Sequence, residues 1–288
     1  MDSGDGGSGH EPTPEATYRS TRGRRPIVWV LVAAPLALAV AFAVIHFGAD
    51  DTQARAAAPS APLLPDLTMP ALTDIYGASR QGSGKAQIFF TANIANIGAG
   101  PFMLRATRDG TGSPWRVAQT FRERGGGVSE RETPATLVWG GHGHNHWHVR
   151  LGASYRLYKA GGTTPVRTYA KVGYCFFDQV AFRPSLPRAP RVPVFPADTC
   201  SGRERVELQM GISPGWADPY SWTLPDQRID ITGLPDGRYR LVAVADPQNW
   251  FRESNEHDNS TWVDLQVKTS VSPPTVKVVR VGPHASHA

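Results

Sequence analysis

The chain reads as an all-β protein, an antiparallel β-sandwich-like domain preceded by one N-terminal transmembrane helix. Three observations predict this. Short apolar-rich segments are separated by Gly, Pro and Asp-Asn turn signals. No part of the chain beyond residue 65 carries an apolar stripe of helical period. The single long apolar run without charge lies near the N-terminus, from Ile27 to Phe47.

Residues 1–25 hold Gly, Ser, Pro, Thr and charge with almost nothing to bury, and read as a disordered cytoplasmic tail. Residues 26–48 read as a transmembrane signal-anchor helix, because about 21 apolar residues rising ~1.5 Å each cover the roughly 30 Å hydrocarbon core. Arg19, Arg22, Arg24 and Arg25 precede the run, while Asp50 and Asp51 follow it. The positive-inside rule then gives a single-pass plasma-membrane protein with its bulk outside the cytoplasm. The small residues at 54–58 also suit signal cleavage, but the apolar core exceeds the roughly 7–15 residues of a cleaved peptide. Residues 49–65, rich in Ala and Pro, read as a linker. Residues 66–269 form the expected extracytoplasmic domain. Residues 270–288, with Pro273-Pro274 and the isolated His284 and His287, read as a flexible tail.

Within the domain, strands are expected at 86–97, 102–105, 136–139, 144–158, 166–177, 228–231, 239–245 and 260–267. The stretch from Arg183 to Pro196 carries five prolines and is expected to be a surface excursion, since proline cannot sit in a central strand. Cys175 and Cys200 are the only cysteines, and outside the cytoplasm they can pair. Such a bridge would close about 25 residues and contribute on the order of 3 kcal/mol. Two buried thiols are the alternative. The formal charge is +5, but no basic stripe interleaved with aromatics appears along the sequence, so no nucleic-acid partner is expected.

The most informative segment is Gly-His142-Gly-His144-Asn-His146-Trp-His148, which holds four of the nine histidines at alternate positions. Alternate side chains of a strand share one face, so the run presents a row of imidazoles, common transition-metal ligands. A solvated histidine loop is the plainer alternative. The position in mid-chain, between Trp139 and Val149, favours a specific metal site.

The order of motifs from Val138 to Val267 resembles the catalytic domain of the lysyl oxidase family. Val138-Trp139 with the histidine run is similar to that family's copper segment, followed by Tyr155-Arg-Leu. Lys171-Val-Gly-Tyr174-Cys175-Phe-Phe-Asp178, Gly211-Ile-Ser-Pro-Gly215-Trp-Ala-Asp218-Pro-Tyr220 and Glu253-Ser through Asp258-Asn259 resemble further blocks in the same order. The resemblance implies a β-rich sandwich, copper, and a lysine tyrosylquinone cofactor self-derived from Lys171 and Tyr220. It implies oxidative deamination of primary amines, peptidyl lysine among them, to aldehyde, ammonia and hydrogen peroxide with dioxygen as co-substrate. Matching the downstream Tyr-x-Leu assigns copper to His144, His146 and His148 and leaves His142 as an outer or alternative ligand. Asp218, two residues before Tyr220, is the expected catalytic base, in a partly dry pocket lined by Trp216 and Trp222. The chain departs from the family in its fourth histidine, in Trp216 at a cysteine position of the animal enzymes, and in Ala153 near an expected phenylalanine.

Two other classes stay open at this level. One is a non-catalytic extracytoplasmic copper-binding β-sandwich module. The other is an adhesion or envelope-binding domain in which the histidines only stiffen a loop. The Lys171 and Tyr220 pair separates the oxidase from both, because neither alternative needs it.

Overall fold

The computed structural model of the chain describes residues 61–79, 84–140, 145–170 and 173–284. The expected cytoplasmic tail, the membrane-spanning run and most of the linker lie outside the described residues, as do His142, His144, Lys171 and His287. Among the described residues, no helix is long and apolar enough to cross a membrane.

The described chain is all-β, and its strands pair antiparallel. In order they are β1 (Pro62–Leu63), β2 (Leu67–Thr68), β3 (Thr73–Ser79), β4 (Ala86–Asn96), β5 (Phe102–Thr107) and β6 (Arg116–Glu123). Next come β7 (Val128–Thr133), β8 (Leu137–Trp139), β9 (Trp147–Val149), β10 (Ala153–Lys159), β11 (Pro165–Ala170) and β12 (Val180–Ala181). The last are β13 (Glu207–Ile212), β14 (Trp216–Tyr220), β15 (Arg228–Asp230), β16 (Gly237–Ala245), β17 (Ser260–Lys268) and β18 (Thr275–Val281). One sheet runs β1-β6-β5-β13 with β7 on the far side of β6; a second runs β11-β10-β16-β17-β18. A third runs β12-β14-β4-β15, with β2 and β3 also on β4, and β8 and β9 form a separate pair.

Alternation builds these sheets. In β16, Tyr239, Leu241, Ala243 and Ala245 are buried while the residues between them are half-buried or exposed. In β17 the buried set is Thr261, Val263, Leu265 and Val267. These side chains share one core with Phe90 of β4, Phe102 and Leu104 of β5, and Tyr155 and Leu157 of β10. Full burial of such a side chain contributes roughly 1.5–3 kcal/mol. Phe102 meets Phe176 and Phe251 edge-on at 4.9 and 5.0 Å, tying β5 to the segment before β12 and to the loop before β17.

Three expectations change. The expected strand at 144–158 is two strands, β9 and β10, broken at Arg150–Gly152. Leu151 there takes a left-handed φ of 59°, and a side chain on Gly152 would press on the Tyr174 and Phe176 rings at 3.0 Å. The linker does not run to residue 65, because Pro62 and Leu63 pair with Glu123 and Arg122 of β6. The tail is not loose throughout: β18 pairs with β17, its alternating Val276 and Val278 falling opposite Val267 and Leu265. The Pro-rich excursion behaves as expected, with no strand between Phe182 and Pro196. Cys175 and Cys200 form a disulfide that closes its base.

The segment entering β2 is held by a buried acid. Glu253 accepts hydrogen bonds from the Leu67 N–H and, at 2.8 Å, from Asn259 Nδ2. Burial, with Glu256 and Asp246 nearby, pushes its carboxyl up to about 9 from an ordinary 4.5. A folded value above the unfolded one means the folded state holds the extra proton. The associated stability is complete below the unfolded value and is lost as pH rises toward the folded one. Glu253→Gln, which keeps a neutral acceptor, is expected to gain stability relative to the native chain between about pH 5 and about pH 8 in urea unfolding. A difference between the two proteins that does not change with pH would refute this.

Candidate functional site

The histidine strand supplies the first wall of the site. β8 and β9 pair Leu137 with Val149, Val138 with His148 and Trp139 with Trp147. His146 and His148 fall on one side, their ring centroids 4.3 Å apart. Trp147 points the other way and meets Trp115 and Trp139 edge-on at 5.1 and 5.3 Å. Its Nε1 donates to the Gly202 carbonyl at 3.1 Å. The buried Arg108 guanidinium stacks on both Trp115 and Trp147, at 4.5 and 4.9 Å. It donates to the carbonyls of Arg203 at 2.6 Å and Arg205 at 2.8 Å, and to that of Thr111. These contacts fix the back of the imidazole strand to the loop after Cys200, and His146 itself bridges to Ser201.

The second wall is the run that follows Lys171. Val149 and Tyr174 exchange both backbone hydrogen bonds, at 2.7 and 2.9 Å. Gly173 lies so close to His148 that a Cβ placed on it would be 2.2 Å from the His148 Cβ. Only glycine allows this approach. Gly173→Ala is expected to push the two segments apart and cost about 1–3 kcal/mol of stability, the range for overpacking. Denaturant unfolding measures this. Gly112→Ala, where a Cβ meets nothing within 4 Å, should be as stable as the native chain.

β14 supplies the third wall, pairing Asp218 and Tyr220 with Ile94 and Ala92 of β4. Asp218 and Tyr220 share one face of the strand and both are buried. The Tyr220 hydroxyl accepts a hydrogen bond from the Cys175 N–H at 3.0 Å, and its ring lies 4.1 Å from that of Tyr174. The Tyr174 and Tyr155 hydroxyls are 2.5 Å apart. Tyr155 in turn stacks parallel to Tyr169 at 6.3 Å. Burial pushes the Tyr155 and Tyr169 phenols up to about 12. It holds those of Tyr174 and Tyr220 well above the ordinary value, helped at Tyr220 by the negative charge of Asp218. All four are therefore protonated at neutral pH.

The structure thus brings His146, His148, Asp218 and Tyr220 into connected segments of one core. Lys171 and His144 lie outside the described residues, two positions from Gly173 and from His146 respectively. Among the described residues, no three His, Cys, Asp or Glu side chains are close enough to hold a metal. Trp216 is buried and donates to the Pro190 carbonyl at 3.0 Å, whereas Trp222 reaches the surface. It is 39% exposed and stands edge-on to Tyr76 at 5.2 Å. Asp218 sits in a strand and not in the turn that a following proline suggests. The residues that sequence reasoning missed are Tyr169, Tyr174 and Gln227, which neighbours Tyr155. They come from separate strands and loops, so no spacing marks them; Tyr174 was visible only within a matching block. No protein-family model matches the chain, and no curated protein matches it.

Proposed function

We propose that the chain is a copper- and quinone-dependent amine oxidase, similar to lysyl oxidase, that converts primary amines or peptidyl lysine to aldehyde, ammonia and hydrogen peroxide. The supporting observation is the junction at Gly173–Cys175. One side of this run is seated on His148 and the other hydrogen-bonds Tyr220, so the segment after Lys171 joins the imidazole strand to the phenol. The β-sheets packed around one core also suit the sandwich that the resemblance implies.

The residues fit the implied groups. His146 and His148 offer nitrogen donors on one face, and His144 continues the alternation, the donor set that copper prefers. Copper and a quinone made from Lys171 and Tyr220 would supply the dioxygen and carbonyl chemistry that ordinary side chains lack. The chain's own residues do the rest. The Cys175 N–H and the Tyr174 ring set the plane of Tyr220. Burial excludes water from the Asp218 carboxylate, which is assigned to take a proton from the carbon beside the substrate nitrogen. The apolar run at 27–47, with arginines before it, supports a single-pass anchor that leaves this site outside the cytoplasm.

The test uses the full chain in neutral detergent, loaded with copper and assayed for amine-dependent peroxide. Turnover is expected, and His146→Ala should lose both tight copper binding and peroxide release. A native chain that binds copper without oxidising any amine would sink the oxidase reading and leave the copper-holding module.

A further inference from the structure

We infer that the outward face of the second sheet is a binding site for a linear phosphodiester polymer with an uncharged polyol backbone. The inference is independent of the oxidase reading. It starts from strand parity in β10, β16, β17 and β18. The positions opposite to the buried Tyr155, Leu241 and Leu265 point away from the core. In those strands they carry six cations, Arg156, Arg238, Arg240, Lys268, Lys277 and Arg280, and one acid, Asp264. The whole chain has 30 basic and 25 acidic side chains, so this imbalance belongs to the face and not to the composition.

The middle of the face is a cleft of about 870 Å³. The row Tyr158, Arg240, Asp264, Arg280 crosses its floor on four neighbouring strands, and Lys159 and Arg238 stand at one end. Asp264 takes Arg240 at 2.7 and 3.0 Å and Arg280 at 3.0 Å. One carboxylate thus serves two guanidiniums. No carboxylate among the described residues forms an ion pair with Arg238, Lys268 or Lys277.

Size and spacing select the ligand. The cleft is far larger than a single phosphate. Neighbours on a sheet face stand about 4.8 Å apart across strands and about 6.8 Å apart along them, so Arg238 and Arg240 lie about 7 Å apart on β16 and the cations of β18 about 10 Å from them, across Asp264 and Gln266. A flexible chain with one negative charge in each short repeat can meet several of them at once, and the planar fork of arginine suits phosphate oxygens. The one tryptophan on this face among the described residues, Trp262, is covered by cations and not open to stacked bases. Arg240 lies 3.7 Å and Arg280 4.7 Å from the centroid of the Trp262 ring. Recognition through the backbone charge of a polyol phosphate fits this surface better than recognition of nucleobases.

The experiment titrates fluorescent poly(glycerol phosphate) with the full chain in neutral detergent and follows anisotropy across a salt series. Binding that weakens steadily with salt is expected. The exposed triple variant Lys159→Gln, Arg238→Gln, Lys277→Gln leaves the Asp264 pairs intact and should bind at least about tenfold more weakly. Arg124→Gln, Arg191→Gln, Arg252→Gln removes the same charge elsewhere and should bind as the native chain does. Equal weakening by both triples, no weakening by the first, or no binding by the native chain overturns the inference. Tighter binding of single-stranded DNA of equal charge would also overturn it, in favour of a nucleic-acid face.

Discussion

On the oxidase reading proposed above, Tyr220→Phe is expected to reduce amine-dependent peroxide release to background while the protein stays folded and keeps its copper affinity. The substitution removes one oxygen. The ring remains against Tyr174, and the loss falls on the Cys175 N–H, whose 3.0 Å hydrogen bond has no replacement. Leaving such a buried donor unsatisfied costs about 1–3 kcal/mol, which a disulfide-closed core tolerates. A phenylalanine has no phenol from which the quinone can be made, so the effect on turnover is total and not graded. Lys171→Ala should give the same result for the other half of the cross-link. The measurements are peroxide release, quinone staining of the separated protein, copper titration and thermal unfolding on one preparation. Turnover that survives in Tyr220→Phe would remove this residue from the cofactor, whatever the copper titration says.

Asp178→Ala is expected to cost at least about 3 kcal/mol of stability, because it strands several donors and each buried donor left unsatisfied costs about 1–3 kcal/mol. Its carboxylate accepts four hydrogen bonds: from the Ser213 N–H and hydroxyl at 2.7 Å each, and from the N–H groups of Val194 and Phe195 at 2.8 and 3.2 Å. Alanine leaves all four donors without this acceptor, three of them buried. Asn replaces one acceptor oxygen by a donor aimed at other donors, so Asp178→Asn should fall between the native chain and alanine. Denaturant unfolding of the three proteins ranks them. An alanine variant within about 1 kcal/mol of the native chain would show that solvent reaches these groups.

Asp178 illustrates what the sequence could and could not say. It ends the block that begins at Lys171 and stands out in the resemblance, yet nothing in the spacing distinguishes a structural acid from a catalytic one. Its partners are 16 to 35 residues away. The periodic elements were legible, because alternation in Tyr239–Ala245 and Ser260–Val267 is dictated by a one-sided core. β7, with its run of Ser, Glu, Arg and Thr, was not, since an exposed edge strand has no burial pattern to display. At the site, His146 and His148 could be placed on one face from their spacing alone. The phenol cluster could not, since Tyr155, Tyr169, Tyr174 and Tyr220 meet only through tertiary packing. The basic cleft was invisible for the same reason: its cations lie singly on separate strands and gather only when those strands pair.

The bond between Cys175 and Cys200 reaches further than the excursion it closes. Cys175 presents its N–H to Tyr220, and the residue after Cys200 bridges to His146. Both sides of the site are therefore moored to one sulfur–sulfur link, although neither the imidazoles nor the phenol touches the chemistry of sulfur. A thiol reductant acting there would slacken the imidazole strand and the phenol together.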